Sequence, residues 1–236
     1  MVARQEGRPR SIVSPIPMLI AVPYFGADER FKRLLSVWWE HYAASGTTIP
    51  ATLVTDLDTE VPTGYPCLKV DTWPANEAMR GHAFDRKGAI VVCATQILGN
   101  FLAVDMDAFL MRDPRKYIER LRDMPFAMAS DGWIRPIVLA HHGYVEISQR
   151  QAGVLWFGPC DRAKLLDDYL TMFRRLRVDH GEDSLLEQYA WSGLWHTMGR
   201  HEMPIELNWQ YCREPEIGKD RAAIWHEHGN EKWKRL

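Results

Sequence analysis

Apolar residues along the chain fall into two spacings. Short, largely apolar runs occupy 18–22, 51–55, 68–70, 101–104, 126–130 and 154–157. Runs of this length predict strands. The unbroken Phe-Leu-Ala-Val at 101–104 predicts one covered on both faces. Elsewhere the apolar positions recur every three to four residues. Phe31, Leu34, Leu35, Trp38, Trp39 and Tyr42 predict a helix from Glu29 to about Ala44, with Asp28 as its N-cap and Gly46 closing it. Further helices are predicted over 84–98, over 161–176 with Asp161 as cap, and over 184–195. The span 133–151 reads as a loop with a β-ribbon, and 204–236 has little periodicity.

The first 70 residues thus read strand, helix, strand, strand, the opening of an α/β sheet with parallel pairing. No internal repeat, low-complexity stretch or clear linker interrupts the chain. The expectation is a loose arm over residues 1–15 and a single domain over residues 16–236.

Composition narrows the class. An apolar fraction of 46% is enough for a core, and 25% charged residues argues against a disordered chain. The net charge of −2 lacks the basic excess usual in a nucleic-acid binder. A stripe of Arg174, Arg175 and Arg177 keeps a local patch open. Cys67, Cys93, Cys160 and Cys212 form no Cys-x-x-Cys pair, which argues against a zinc ribbon or thioredoxin-type site. The polar 1–10 segment lacks the apolar stretch of a signal peptide. The longest apolar run, 16–25, is broken by Pro17 and Pro23 and is too short to span a bilayer. The expectation is a soluble, cytoplasmic protein, with an organelle leader as the alternative.

Four segments carry candidate chemistry. Asp105-Met106-Asp107 follows the 101–104 strand directly. Ligand sites of open α/β sheets lie at the carboxyl ends of strands. Two carboxylates two residues apart can face one hard cation, Mg2+ or Mn2+, that bridges to phosphates. The plainer alternative is a turn cap and a solvated neighbour. Second, His226-Glu227-His228-Gly229-Asn230-Glu231-Lys232-Trp233 offers an imidazole ligand from His226 or His228. It also offers a glycine for close backbone approach and a point cation for phosphate. It also reads as a charged tail. Third, Gln151-Ala152-Gly153 leads into the 154–157 strand, which alone is an ordinary turn. Fourth, Asp183 and Glu187 share a helix face, beside Gln188. Acidic residues at a helix start also simply favour the helix dipole.

In this order the segments resemble the nucleotide-sugar glycosyltransferases of GT-A fold. They are most similar to glycosyltransferase family eight, the glycogenin and lipopolysaccharide galactosyltransferase group. That group shows Asp-x-Asp after an apolar strand, then Asn-[Ser/Ala]-Gly-Val, Asp-Gln and His-x-x-Gly-x-x-Lys-Pro-Trp. The resemblance runs from Met18 to Trp233. It implies a Rossmann-like, mostly parallel sheet flanked by helices. The implied activity is metal-dependent transfer, with retention, from a UDP- or GDP-sugar, UDP-sugar foremost, to an unidentified acceptor.

Residue by residue, the resemblance implies that Asp105, Asp107 and His226 hold Mn2+ or Mg2+, Asp105 also meeting the sugar nucleotide. Gly229 and Lys232 would meet the diphosphate, and Lys87 the nucleotide-sugar. Val22, Pro23 and Tyr24 would line base and ribose, with Asp56 a further candidate. Gln151 and Asp131 would lie near the donor sugar, and Glu187 and Gln188 at the reaction centre. Three departures stand out. Gln151 replaces Asn, Glu187 replaces Asp (making Asp183 a rival), and the Pro of Lys-Pro-Trp is missing. Two alternatives accompany this reading, a haloacid dehalogenase-type phosphatase and a catalytically inactive nucleotide-binding module. The acceptor is a glycan, lipid, protein, small molecule or modified nucleobase. The 133–150 segment, with Trp133, Arg135, His141, His142 and Tyr144, is its candidate loop.

Overall fold

In chain order the elements are β1 (Leu19–Pro23), α1 (Glu29–Ala44), β2 (Ala51–Asp56), β3 (Cys67–Val70), α2 (Trp73–Asn76) and α3 (Ala83–Ala94). There follow β4 (Phe101–Val104), β5 (Ala108–Leu110), α4 (Arg115–Ile118), β6 (Phe126–Ser130), β7 (Pro136–Leu139) and β8 (Val145–Ser148). The last six are β9 (Arg150–Phe157), α5 (Arg162–His180), α6 (Leu186–Thr197), β10 (His201–Glu202), β11 (Trp209–Gln210) and β12 (Ile224–His226). This computed structural model describes residues 18–26, 28–76, 83–130, 136–139, 145–181, 185–210 and 220–227. The 1–15 arm, Asp131, Asp183, His228, Gly229 and Lys232 lie outside the described residues, as do Trp133, Arg135, His141, His142 and Tyr144.

A seven-stranded sheet runs in the order β10-β6-β9-β4-β1-β2-β3. β1 pairs in parallel with β2 and β4, β2 with β3, and β10 with β6, while β9 runs antiparallel between β4 and β6. The α/β class with a mostly parallel sheet is therefore the one present. Side chains alternate across each strand, and both faces are covered. Along β4, Phe101 and Ala103 join a core with α3, α5 and α6 through Ile90, Tyr169 and Trp191. Leu102 and Val104 join the opposite core, with Leu34, Leu35 and Trp38 of α1. This explains the unbroken apolar run.

Local chemistry sets several boundaries. Asp28 is extended and accepts from the Arg30 amide at 2.8 Å, so α1 starts where the cap predicts. α3 ends four residues earlier than its periodicity predicts. There Thr95 donates its hydroxyl to the Val92 carbonyl at 2.6 Å, and a turn follows. α5 runs past the predicted Leu176 to His180, where Gly181 at φ 67° ends it. β9 is eight residues long, twice the predicted run, because its polar start pairs with β6. β7 and β8 form the expected antiparallel ribbon.

The tail that lacked periodicity contains β12. This three-residue strand lies antiparallel to β5 and parallel to β11. The pairing returns the tail to the carboxyl end of β4. α1 fixes the same place from below, through a bond from Trp38 Nε1 to the Ala108 carbonyl at 3.0 Å.

Candidate functional site

The side-chain alternation that builds the core also aims the first carboxylate. Asp105 follows β4 in step with Phe101 and Ala103, so it faces the α3–α6 side. Its amide donates to the Gly153 carbonyl at 2.8 Å, and its own carbonyl accepts from Ala108 N at 2.9 Å. The chain therefore turns at once into β5, and Asp107 sits on that turn. The Asp107 carbonyl accepts from Glu227 N at 2.8 Å, tying it to the residue after β12.

β12 brings in the imidazole. His226 lies opposite Ala108 in the β5–β12 ladder, 3% exposed. Its Nε2 is 3.4 Å from Asp107 Oδ1, and its Nδ1 is 2.9 Å from Asn208 Oδ1. Asp105, Asp107 and His226 each place a ligand atom within 4.8 Å of the others. Two carboxylate oxygens and one imidazole nitrogen fit a divalent cation of the Mn2+ type. This is the set expected from sequence, with His226 as the imidazole donor among the described residues.

Beneath it lies Gly153. Here the register of β9 with β6 jumps from Met128↔Leu155 to Ala129↔Gln151. A Cβ on Gly153 would lie 1.9 Å from His226 Cε1, so only glycine leaves room for the ring. Gln151, also buried, turns its Oε1 back to accept from Gly153 N at 3.0 Å.

On the helix side, Lys87 of α3 places Nζ 3.0 Å from Asp105 Oδ2 and 3.3 Å from Glu187 Oε2. Glu187 Oε1 accepts from Trp191 Nε1 at 2.7 Å. Burial pushes the Glu187 carboxyl up to about 7, with Lys87 pulling it down and Asp105 pushing it up. Burial also raises Asp105, against the pull of Lys87. Burial disfavours the Lys87 ammonium, but Asp105 and Glu187 outweigh it and hold the group above its ordinary value. The result is a buried carboxylate–ammonium–carboxylate bridge linking the cation-type cluster to α6. Gln188 is the next residue, half-buried, and its carbonyl accepts from Ser192 Oγ at 2.8 Å.

The remaining candidates line neighbouring strand ends. Val22, Pro23 and Tyr24 are buried at the end of β1. The Tyr24 hydroxyl has no hydrogen-bond partner among the described residues. Asp56 ends β2 and accepts from Thr59 N at 2.8 Å and from Arg86 Nε. Burial works to raise this carboxyl, but Arg86 and Thr59 outweigh it and hold it below the usual range. The structure therefore gathers Asp105, Asp107, His226, Lys87 and Glu187 around one point, with Gln151 bonded to Gly153 beneath it and Asp56 on a separate strand end. Sequence reasoning missed Arg86, Trp191 and Asn208. Arg86 and Trp191 are helical neighbours of predicted residues. Asn208 lies 18 residues from His226 and has no local signal.

No protein-family profile matches the chain, and no curated protein sequence matches it. Solved structures do. A crystal structure of an active-site mutant of LgtC superposes with TM-score 0.60 at 14% identity, over 90% of this chain and 88% of that one. The galactosyltransferase LgtC in complex with donor and acceptor sugar analogues gives 0.59 at 13% identity, over 90% and 87%. Apo mouse xyloside xylosyltransferase 1 gives 0.55 at 12% identity, over 91% and 97%. The chain has the GT-A fold these structures share. That leaves the phosphatase alternative without structural support.

Proposed function

We propose that this protein is a glycosyltransferase that moves a hexose from a nucleoside-diphosphate sugar, UDP-sugar foremost, to an acceptor. The observation that carries this reading is the convergence of Asp105, Asp107 and His226 at the end of β4, beside the Lys87–Glu187 bridge. Solved structures of the same fold include one with donor and acceptor sugar analogues bound, which supports a sugar donor as substrate.

Asp105, Asp107 and His226 would hold the cation, Mn2+ in preference to Mg2+ because one ligand is an imidazole. When bound, it supplies positive charge to the oxygens of the departing diphosphate. Lys87 keeps Asp105 oriented and holds Glu187 in place on α6. In its ionised form Glu187 would set negative charge beside the site and support positive charge growing at the anomeric carbon. Gln188 and Gln151 would orient the sugar, with Asp183 the rival to Glu187 for the acidic role. Gly229 and Lys232 would meet the diphosphate. Val22, Pro23 and Tyr24 would offer backbone to the base and ribose, since their side chains are buried, and Asp56 would lie at the margin of that subsite. The reading includes retention at the anomeric carbon and a single catalytic domain over residues 16–236. The acceptor class stays open among glycan, lipid, protein, small molecule and modified nucleobase. Among the described residues, no helix is long and apolar enough to cross a membrane.

The test is thermal stability of the full chain with UDP, GDP, CDP and dTDP, each with and without Mn2+. A ligand that binds the native state raises Tm by mass action. A shift that requires Mn2+ and UDP together is expected, followed by slow Mn2+-dependent hydrolysis of a UDP-hexose. No shift with any pair overturns the donor-site reading. A shift with nucleotide and metal but no turnover of any donor sugar would leave a binding module in its place.

A further inference from the structure

The imidazole of His226 is held from two sides besides Asp107. Its Cε1 rests over the backbone of Gly153, and its Nδ1 meets Asn208 Oδ1 at 2.9 Å. Asn208 is wholly buried. It caps the short 3-10 turn Ile205–Leu207, its amide donating to the Ile205 carbonyl at 3.0 Å. It stands directly before β11, whose Gln210 is in register with His226. The Ala223 amide donates to the Glu206 carbonyl at 2.7 Å, binding that turn to the start of β12. Backbone pairing on both sides therefore sets where Asn208 stands relative to the ring.

We propose that Asn208 is a positioning residue for the cation site, fixing the tautomer and rotation of His226. This rests on the metal reading above. A neutral imidazole has one N–H and one lone pair, and the partner of one nitrogen decides the role of the other. Asn208 Oδ1 has lone pairs and no proton, so Nδ1 must carry the hydrogen. Nε2 then presents its lone pair on the Asp107 side, as a cation ligand must. The opposite arrangement, with the amide nitrogen turned to the ring, would place the hydrogen on Nε2 and aim a donor at the cation. Outer partners of this kind are worth about 10–100-fold in metal affinity.

Two measurements on the full chain test this. The first is 15N NMR of the metal-free protein at alkaline pH, with the His226 signals identified by their loss in His226→Gln. Nδ1 protonated and Nε2 bare is expected, and Nε2 protonated overturns the proposal. The second is Mn2+ affinity, by EPR of free Mn2+, for wild type, Asn208→Leu and Asn208→Asp. Leu removes the acceptor and is expected to weaken binding about 10–100-fold. Asp keeps an acceptor and is expected to restore affinity toward wild type. Equal Mn2+ affinity in wild type and a folded Asn208→Leu overturns the role of Asn208 alone. Wild type that binds no Mn2+ overturns the metal reading and this proposal with it. If Asn208→Leu does not fold, the tautomer and the Asp variant decide.

Discussion

A Cβ placed on Gly153 would lie 1.9 Å from Cε1 of His226, closer than any packed pair of atoms can stand. β9 is flanked by β4 and β6, so its backbone cannot retreat, and the imidazole would have to move. Gly153→Ala is therefore expected to swing Nε2 away from Asp107. Overpacking of this kind costs about 1–3 kcal/mol. Mn2+ binding should fall more steeply than stability does. Titration of Mn2+ alongside urea unfolding checks this. Unchanged Mn2+ affinity in Gly153→Ala would show that the ring has another place to sit.

Lys87 is the one cation bridging Asp105 and Glu187 among the described residues, and all three are largely buried. Removing it leaves two buried carboxylates with no ammonium between them. Breaking a buried ion pair typically costs about 3–5 kcal/mol. Lys87→Met is expected to lose stability of that order at pH 8, and less at pH 5, where the carboxyls can take up protons. Mn2+ should then raise the Tm of Lys87→Met more than that of wild type, because the ion takes over the charge of Asp105. Equal Mn2+ shifts in the two proteins would contradict the bridge.

Arg86 acts at the neighbouring strand end. It donates to Asp56 and, through NH2, to Thr59 Oγ1 at 2.9 Å, closing the turn after β2. The Asp56 carboxyl is held low, so its contribution to stability is present above the unfolded carboxylate range. That contribution is lost as pH falls through the folded value. Arg86→Leu removes a large part of that hold. Acid unfolding followed by circular dichroism should then begin at higher pH than in wild type. A coincident acid transition would mean that Thr59 alone suffices.

How much of this was legible follows from how local each determinant is. Asp28 and the 31–42 periodicity predict the start of α1 and, approximately, its end, because a cap and a face are both written within one helix. Asp105 and Asp107 were legible because an unbroken apolar run delivers them to a strand end. His226 came from the resemblance of the tail to His-x-x-Gly-x-x-Lys and not from any strand signal, the tail alone leaving His226 and His228 open. β12 is three residues long, and its partners β5 and β11 have only three and two. The partnership of Gly153 and Asn208 with His226 had no signal at all. Each is defined by a contact between distant segments, and a glycine before a strand reads as an ordinary turn. The overrun of α3 has a local cause, since Ile97 and Leu98 continue the apolar spacing after the Thr95 hydroxyl has ended the helix. The resemblance puts Tyr24 beside the base and ribose, and its side chain is buried in the α1-side core, where an aromatic after an apolar strand also belongs.

Glu187 carries the sharpest pH signature. Burial raises its carboxyl to about 7, with Lys87 and the Trp191 indole N–H lowering it and Asp105 raising it. The ordinary value is 4.5. Between these two values the native state binds the proton more tightly than the unfolded chain does. By linkage, the contribution to stability is complete below about pH 4.5 and is lost as pH rises through about 7. The ceiling is roughly 3 kcal/mol over that window, at about 1.4 kcal/mol for each pH unit between the two values. Lys87 stays charged throughout, because the two carboxylates hold it above its ordinary value. Asp105 is raised as well, so the wild-type profile alone mixes two groups. Glu187→Gln removes one of them. With divalent cations chelated, wild-type stability minus that of Glu187→Gln should fall as pH rises from about 4.5 to about 7 and level off beyond. Urea unfolding at half-unit pH steps gives this difference directly. A flat difference would mean that Glu187 keeps an ordinary affinity for its proton, and that Lys87 and Trp191 fully compensate its burial.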